Sequence, residues 1–219
     1  MTESETATGD RSAQSFDREF WNERWSDVLR EHAGHVSLRP PNPHLTATAG
    51  SLVPGRALDA GCGIGSEALW LAARGWHVTG VDFAATALTH GRTTAAALGA
   101  DIARRGEWIE GDLAAWTSEA GLYDLVTSLY VHVAGSVEDT VARLAVGVAT
   151  GGTLLLVGHL PIDPVTGAAT PAASQVQVTV DAAVAVLDPQ RWTIDTAEER
   201  PRAVAGSGFD AVICARRRP

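Results

Sequence analysis

Lysine is absent from this 219-residue chain, and all 17 basic side chains are arginine. We read that absence as the codon bias of a GC-rich genome, not as a functional signal. Against 26 acidic residues the arginines leave a net charge of −9, which argues against nucleic acid or an acidic membrane as a partner. The one basic run, ArgArgArg at 216–218, reads as a solvated tail. Cysteine is scarce. Cys62 and Cys214 are too few for a disulfide framework and read as reduced thiols. No apolar run approaches the length of a membrane span, and the polar N-terminus has no signal-peptide core. These features predict a cytoplasmic protein without a membrane partner. His32 and His35 lie three apart, but no cysteine or carboxylate set completes a site, so no metal is expected.

What is present is a 45% hydrophobic chain able to build one substantial core. Residues 1–15 are small, polar and acidic and read as a disordered tail. The remainder, 16–219, reads as a single domain. Phe20, Trp21, Trp25, Val28 and Leu29 place a helix over 16–32, which stops before the prolines at 40, 41 and 43. From residue 56 strands and helices alternate. Strands are predicted at 56–60, 76–82, near 106–110, at 123–129 and at 153–158. The helices between them lie at 66–74, at 84–98, and from Ser136 to the GlyGly at 151–152. This pattern means βαβ units and a parallel sheet covered on both faces. After a helix around 180–187, strands at 191–198 and 208–215 have no helix between them and pair as a hairpin. Residues 159–178 form a long connection, a length that compact domains usually reserve for function.

The segment AlaLeuAspAlaGlyCysGlyIleGly (57–65) joins the first strand to a helix, where open α/β sheets bind ligands. The dinucleotide fingerprint is G-x-G-x-x-G/A; here the third glycine comes one residue early, and Asp59 stands two residues before the first. A pyrophosphate has no use for that acid, whereas a ligand carrying an ammonium group does. Asp82 ends the second strand, at the position that hydrogen-bonds ribose hydroxyls in mononucleotide-binding halves. Asp112 follows the third. Three acids thus end three successive strands at one edge of the sheet.

LeuAspAlaGlyCysGlyIleGly, ValThrGlyValAsp, GluGlyAspLeu and TyrAspLeuVal, in that order over about residues 54–158, resemble the motifs of class I S-adenosylmethionine-dependent methyltransferases. The two-tryptophan helix followed by ArgProProAsnPro resembles the thiopurine and tellurite-resistance branch. The resemblance implies an α/β Rossmann-like three-layer sandwich. Its seven-stranded, mostly parallel sheet has order 3-2-1-4-5-7-6 with one antiparallel strand. It implies S-adenosylmethionine as methyl donor, with Gly61, Cys62 and Gly63 in the loop that approaches it and Asp59 organising that loop and the methionine ammonium. Asp82 would bind the ribose and Phe83 flank the adenine, with Asp112 and Leu113 at the adenine edge. Ser128, Leu129 and Tyr130 would line the sulfonium side. Ala60 is compatible with the loop backbone. Trp21 and Trp25 match tryptophans that close over the methionine moiety, although a stripe at this spacing equally suits simple packing of the helix. The 16–43 segment and the 159–178 connection then form a lid. His132 and His159 face the acceptor side and are candidate general bases, or polar rim residues. The implied acceptor is a small molecule such as a thiol, a chalcogen or metalloid, or another small nucleophile, and the implied assembly a monomer or homodimer. A nicotinamide-dependent oxidoreductase and a catalytically silent binder of the donor are the competing readings.

Overall fold

The computed structural model describes residues 18–36, 40–132, 135–202 and 208–219, without the side chains of 32–36. The expected tail at 1–15 and the side chains of the His32–His35 pair lie outside what is described. Helix α1 (Arg18–Val36) matches the tryptophan-bearing helix but runs on to Val36. Helix α2 (Pro43–Ala49) begins at a proline that the sequence pattern marks only as a stop. Pro43 sits in its first turn, where a missing N–H costs nothing. The Asn42 side chain caps it by accepting from the N–H of His44 at 2.8 Å.

The central elements follow in alternation: β1 (Arg56–Ala60), α3 (Ser66–Ala73), β2 (His77–Asp82) and α4 (Ala85–Leu98), then α5 (Ala100–Arg105), β3 (Gly106–Glu110), β4 (Tyr123–Leu129) and α6 (Val137–Gly147). Next come β5 (Val148–His159), α7 (Val180–Val186), β6 (Trp192–Pro201) and β7 (Phe209–Arg217). The seven strands form one sheet in the order β3-β2-β1-β4-β5-β7-β6. Pairings are parallel from β3 through β5, and β7 runs antiparallel to both neighbours. The sheet is the expected Rossmann-like one.

Successive residues of a strand point to opposite faces, so each central strand feeds two cores. Leu58, Val126, Leu154, Leu156 and Ile213 pack on one face with Val141 and Leu144 of α6. Ala57, Leu125, Leu155, Val157 and Val212 pack on the other with Leu45 of α2 and Leu71 of α3.

The GlyGly at 151–152 does not end a helix, contrary to expectation. Helix α6 stops at Gly147 and β5 has already begun at Val148. Tyr123 pairs with Val148 but Leu125 pairs with Thr153, so the glycines fill a bulge in β5. Beyond β5 the chain leaves the sheet and returns to it. The main-chain N–H of His159 donates to Gln177 Oε1 at 2.7 Å, tying the far end of the long connection to the strand tip.

Candidate functional site

The carboxyl ends of β1 and β2 carry the first half of the site. Asp59 is buried, with Oδ1 accepting from Thr127 Oγ1 at 3.0 Å. Burial, reinforced by nearby Glu67, pushes its pKa up to about 7. Asp82 is also buried, and its two oxygens divide their work. Oδ2 accepts from the N–H of Gly63 at 2.8 Å and Oδ1 from that of Ala84 at 2.9 Å. Burial raises its pKa as well, against the lowering effect of those amides. Among the described residues neither acid makes an ion pair with an arginine.

The glycines between them are required by contact and by conformation. Gly61, Gly63 and Gly65 all have positive φ. A β-carbon on Gly61 would strike Val131, and one on Gly65 would strike the Trp108 ring. One on Gly63 would lie 2.8 Å from Cζ2 of Trp25. Helix α1 therefore rests on the glycine loop. Trp21, Trp25, Val28 and Leu29 pack over Ile64, Ala84 and Ala87, and Asn22 Oδ1 accepts from the N–H of Thr86 at 3.3 Å. The tryptophans pack the helix and also lie against the loop.

The other sequence-predicted residues are placed unevenly. The Ala60 side chain is fully buried, and Cys62 points its buried thiol toward Gly80, with burial pushing its pKa up. Phe83 is half-buried next to Asp82. Asp112 is exposed, and its Oδ1 turns back to accept from the N–H of Ala114 at 2.9 Å. The Leu113 side chain joins the core beneath. Ser128 and Leu129 end β4 beside Leu156 and Val157.

The second half surrounds a cavity of about 460 Å³. Tyr130, at φ +59, stacks on the His159 ring with centroids 4.0 Å apart. Buried Asp210 joins both: its Oδ1 lies 3.0 Å from His159 Nδ1, and its Oδ2 accepts from the Tyr130 hydroxyl at 2.8 Å. Burial and Asp210 push Tyr130 up to about 12, so it remains a donor. Arg202 Nε approaches Asp210 at 3.4 Å. His132 packs edge-on to Trp21 at 4.8 Å. Burial, with His159 and Arg24 nearby, pulls its pKa down to about 4. A base at neutral pH needs a value near 7, so His132 is a weak one. Sequence reading missed Asp210, Arg202, Arg24 and Gln177. One signal was available for Asp210: it is a lone acid in the otherwise apolar strand PheAspAlaValIleCysAla.

The described residues contain no cluster of histidine, cysteine or acidic side chains able to hold a metal, and no helix is long and apolar enough to cross a membrane. A family model described as a methyltransferase domain matches residues 57–152. The chain is similar to the ubiquinone biosynthesis O-methyltransferase of Marinobacter nauticus, with 35% identity over 106 residues, covering 48% of this chain and 44% of that protein. The chain thus spans less than half the length of the curated relatives it matches. Among solved structures it is similar to the magnesium protoporphyrin IX methyltransferase of Synechocystis with S-adenosylhomocysteine bound. There the TM-score is 0.64 at 19% identity, over 91% of this chain and 97% of that one. A TehB-like methyltransferase from Corynebacterium glutamicum matches with a TM-score of 0.55 at 19% identity, over 92% and 98% of the two chains. These two likenesses concern the fold. The residues matched by the methyltransferase-domain model, 57–152, include the glycine loop and the acids Asp59, Asp82 and Asp112.

Proposed function

We propose that this chain transfers a methyl group from S-adenosylmethionine to a small-molecule acceptor. One observation carries the reading: two buried carboxylates, Asp59 and Asp82, flank a glycine loop and have no arginine partner among the described residues. Buried charge without a counter-charge is costly. A ligand that brings an ammonium group to Asp59 and hydroxyls to Asp82 relieves that cost. Each Asp82 oxygen uses one acceptor site on a backbone N–H and keeps another for a ribose hydroxyl. The donor, when bound, supplies a methyl carbon already activated by a sulfonium. The chain's task is then to hold the acceptor in line and keep water out.

The acceptor cavity lies alongside, bounded by α1, by the tips of β4 and β5, and by the connection that ends at Gln177. Its size suits a small molecule. The proteins similar to this one that are named for ubiquinone biosynthesis and for magnesium protoporphyrin IX favour a small-molecule acceptor too. Tryptophans of α1 lying on the glycine loop support the thiopurine and tellurite-resistance branch, with α1 and the 159–178 connection as a lid. Hydrogen exchange tests the lid: protection of α1 rises with S-adenosylhomocysteine, and equal protection with and without it removes the lid.

Calorimetry tests the donor. S-adenosylhomocysteine binds and NAD does not; the reverse result makes the chain a nicotinamide-dependent enzyme. Turnover against thiols, chalcogen oxyanions, amines and phenols tests the transfer. Binding of S-adenosylhomocysteine with no turnover on any of them identifies a silent binder.

A further inference from the structure

We propose that His159, oriented by Asp210, takes the proton from the acceptor, and that the acceptor is an anionic hydroxyl compound such as a carboxylate-bearing phenol. The inference rests on the methyltransferase reading and narrows its acceptor.

Three observations lead to it. First, His159 and Asp210 face each other across β5 and β7 in register, with Nδ1 to Oδ1 at 3.0 Å. The Asp210 side chain is 3% exposed and the His159 side chain 24%, so the acid lies beneath and the imidazole reaches the cavity. A carboxylate that accepts from Nδ1–H holds the neutral ring in the tautomer whose Nε2 carries a free lone pair. The Tyr130 ring stacks on the imidazole while its hydroxyl donates to the other Asp210 oxygen, so the ring and the acid are both held. His159 is the catalytic residue and Asp210 a positioning residue.

Second, a built base has a use only where the nucleophile carries a proton at working pH. A thiolate needs none. A phenol or alcohol does, because neutral oxygen is a poor nucleophile.

Third, the cavity differs in charge from the rest of the molecule. In a chain of net charge −9, its lining among the described residues includes Arg24 and Arg202 and no carboxylate, with Arg202 also 3.4 Å from Asp210 beneath. Phe20, Trp21 and Phe209 supply flat apolar wall, and Thr170 and Ser174 supply hydroxyls. The chemistry that matches is an aromatic or apolar body with an anionic group.

The step balances. As the acceptor oxygen bonds to the methyl carbon, its proton passes to His159 Nε2. The carbon–sulfur bond breaks and its electron pair stays on sulfur, leaving a neutral thioether. The imidazolium formed faces Asp210 and later returns its proton to water.

Two measurements decide. Long-range ¹H–¹⁵N correlation spectra of histidine-labelled protein, with the signal assigned by its loss in His159→Gln, read the tautomer. The proton is expected on Nδ1, and Asp210→Ala shifts it toward Nε2. A wild-type proton on Nε2 overturns the proposal whether or not the Asp210 variant folds. Calorimetry on protein loaded with S-adenosylhomocysteine then compares 2-, 3- and 4-hydroxybenzoate with their methyl esters. At least one acid is expected to bind roughly tenfold tighter than its ester. His159→Gln is expected to weaken that acid about fivefold or more while leaving affinity for S-adenosylhomocysteine unchanged. Esters that bind as tightly as the acids, no binding by any acid, or an unaffected His159→Gln variant overturns this inference and leaves the methyltransferase reading standing. Failure of S-adenosylhomocysteine itself to bind overturns both.

Discussion

The proposed donor half and the proposed acceptor half of the site are built by different means. The donor half is local: Asp59, the glycine loop, Asp82 and Ala84 lie within one strand–helix–strand unit, and main-chain N–H groups hold the key carboxylate at 2.8 and 2.9 Å. The acceptor half is assembled from α1, the ends of β4 and β5, the long connection and β7, and side chains hold side chains. The two halves also differ in charge. Among the described residues one buries acids without arginine partners, and the other sets Arg202 beside its buried Asp210. Backbone-held loops tolerate many chemistries on the far side of the cavity, because the donor unit keeps its geometry whatever side chains are placed opposite.

The strongest way to break the contrast is to remove the donor half's unpaired charge. Asp59 has its folded-state pKa raised from 3.8 to about 7. Between those values the folded chain holds a proton that the unfolded chain has lost, so this group's contribution to stability falls as pH rises from about 4 to about 7. The loss is on the order of 3–4 kcal/mol. Asp59→Asn should therefore raise the melting temperature of the ligand-free protein at pH 8 and change it little at pH 4, while weakening S-adenosylhomocysteine binding. An unchanged melting temperature at pH 8 would mean that Asp59 already has a cationic partner.

Asp82 tests the same half from another direction, because two backbone N–H groups hold its carboxylate whereas a side-chain hydroxyl holds that of Asp59. Asp82→Ala should weaken S-adenosylhomocysteine binding by about 1–3 kcal/mol, since two backbone donors and the ribose contact lose their acceptor together. Calorimetry reads it, and unchanged affinity takes Asp82 out of the site. Gly63→Ala probes the seam between the halves. At φ +52 the alanine costs about 1–2 kcal/mol in backbone conformation alone, and its β-carbon also meets Trp25. Gly99→Ala is the control, at φ +130 with open space around it. Only the Gly63 variant should shift tryptophan fluorescence; a matching shift in the Gly99 variant would separate α1 from the loop.

How much was legible in the sequence follows the same division. Strand bounds at 56–60, 106–110 and 123–129 agree with the structure residue for residue, because glycine and other turn residues bracket each short stretch of strand-forming residues. The pairing of Asp82 with the glycine loop lies within one strand–helix–strand unit, and sequence spacing captures such units. The His159–Asp210 contact spans a chain reversal through the hairpin, and only the register of β5 against β7 reveals it. His159 was identified without its partner, and His132 was ranked beside it because burial does not show in a string of letters. Arg24 is hidden for another reason: an apolar stripe at helical spacing says nothing of the residues between its members. Helix α2 and the early start of β5 were missed where proline and glycine had been read only as terminators.

Tyr130→Phe gives the smallest and most selective effect, and it isolates how the acceptor half is held. The variant keeps the ring that stacks on His159 at 4.0 Å and the N–H that donates to the Val157 carbonyl at 2.7 Å. It removes only the hydroxyl that donates to Asp210 Oδ2. Because burial and Asp210 hold that hydroxyl's pKa near 12, the native bond persists through neutral pH and its loss is felt throughout that range. Asp210 is left buried with one donor fewer, and we expect about 1 kcal/mol of lost stability, a fall of about 2–4 °C in melting temperature. The donor half shares no hydrogen bond with this hydroxyl among the described residues, and the variant keeps the ring and main chain expected on the sulfonium side, so affinity for S-adenosylhomocysteine should not change. A weakened affinity equal to the stability loss would show that the two halves, built differently, nevertheless move as one.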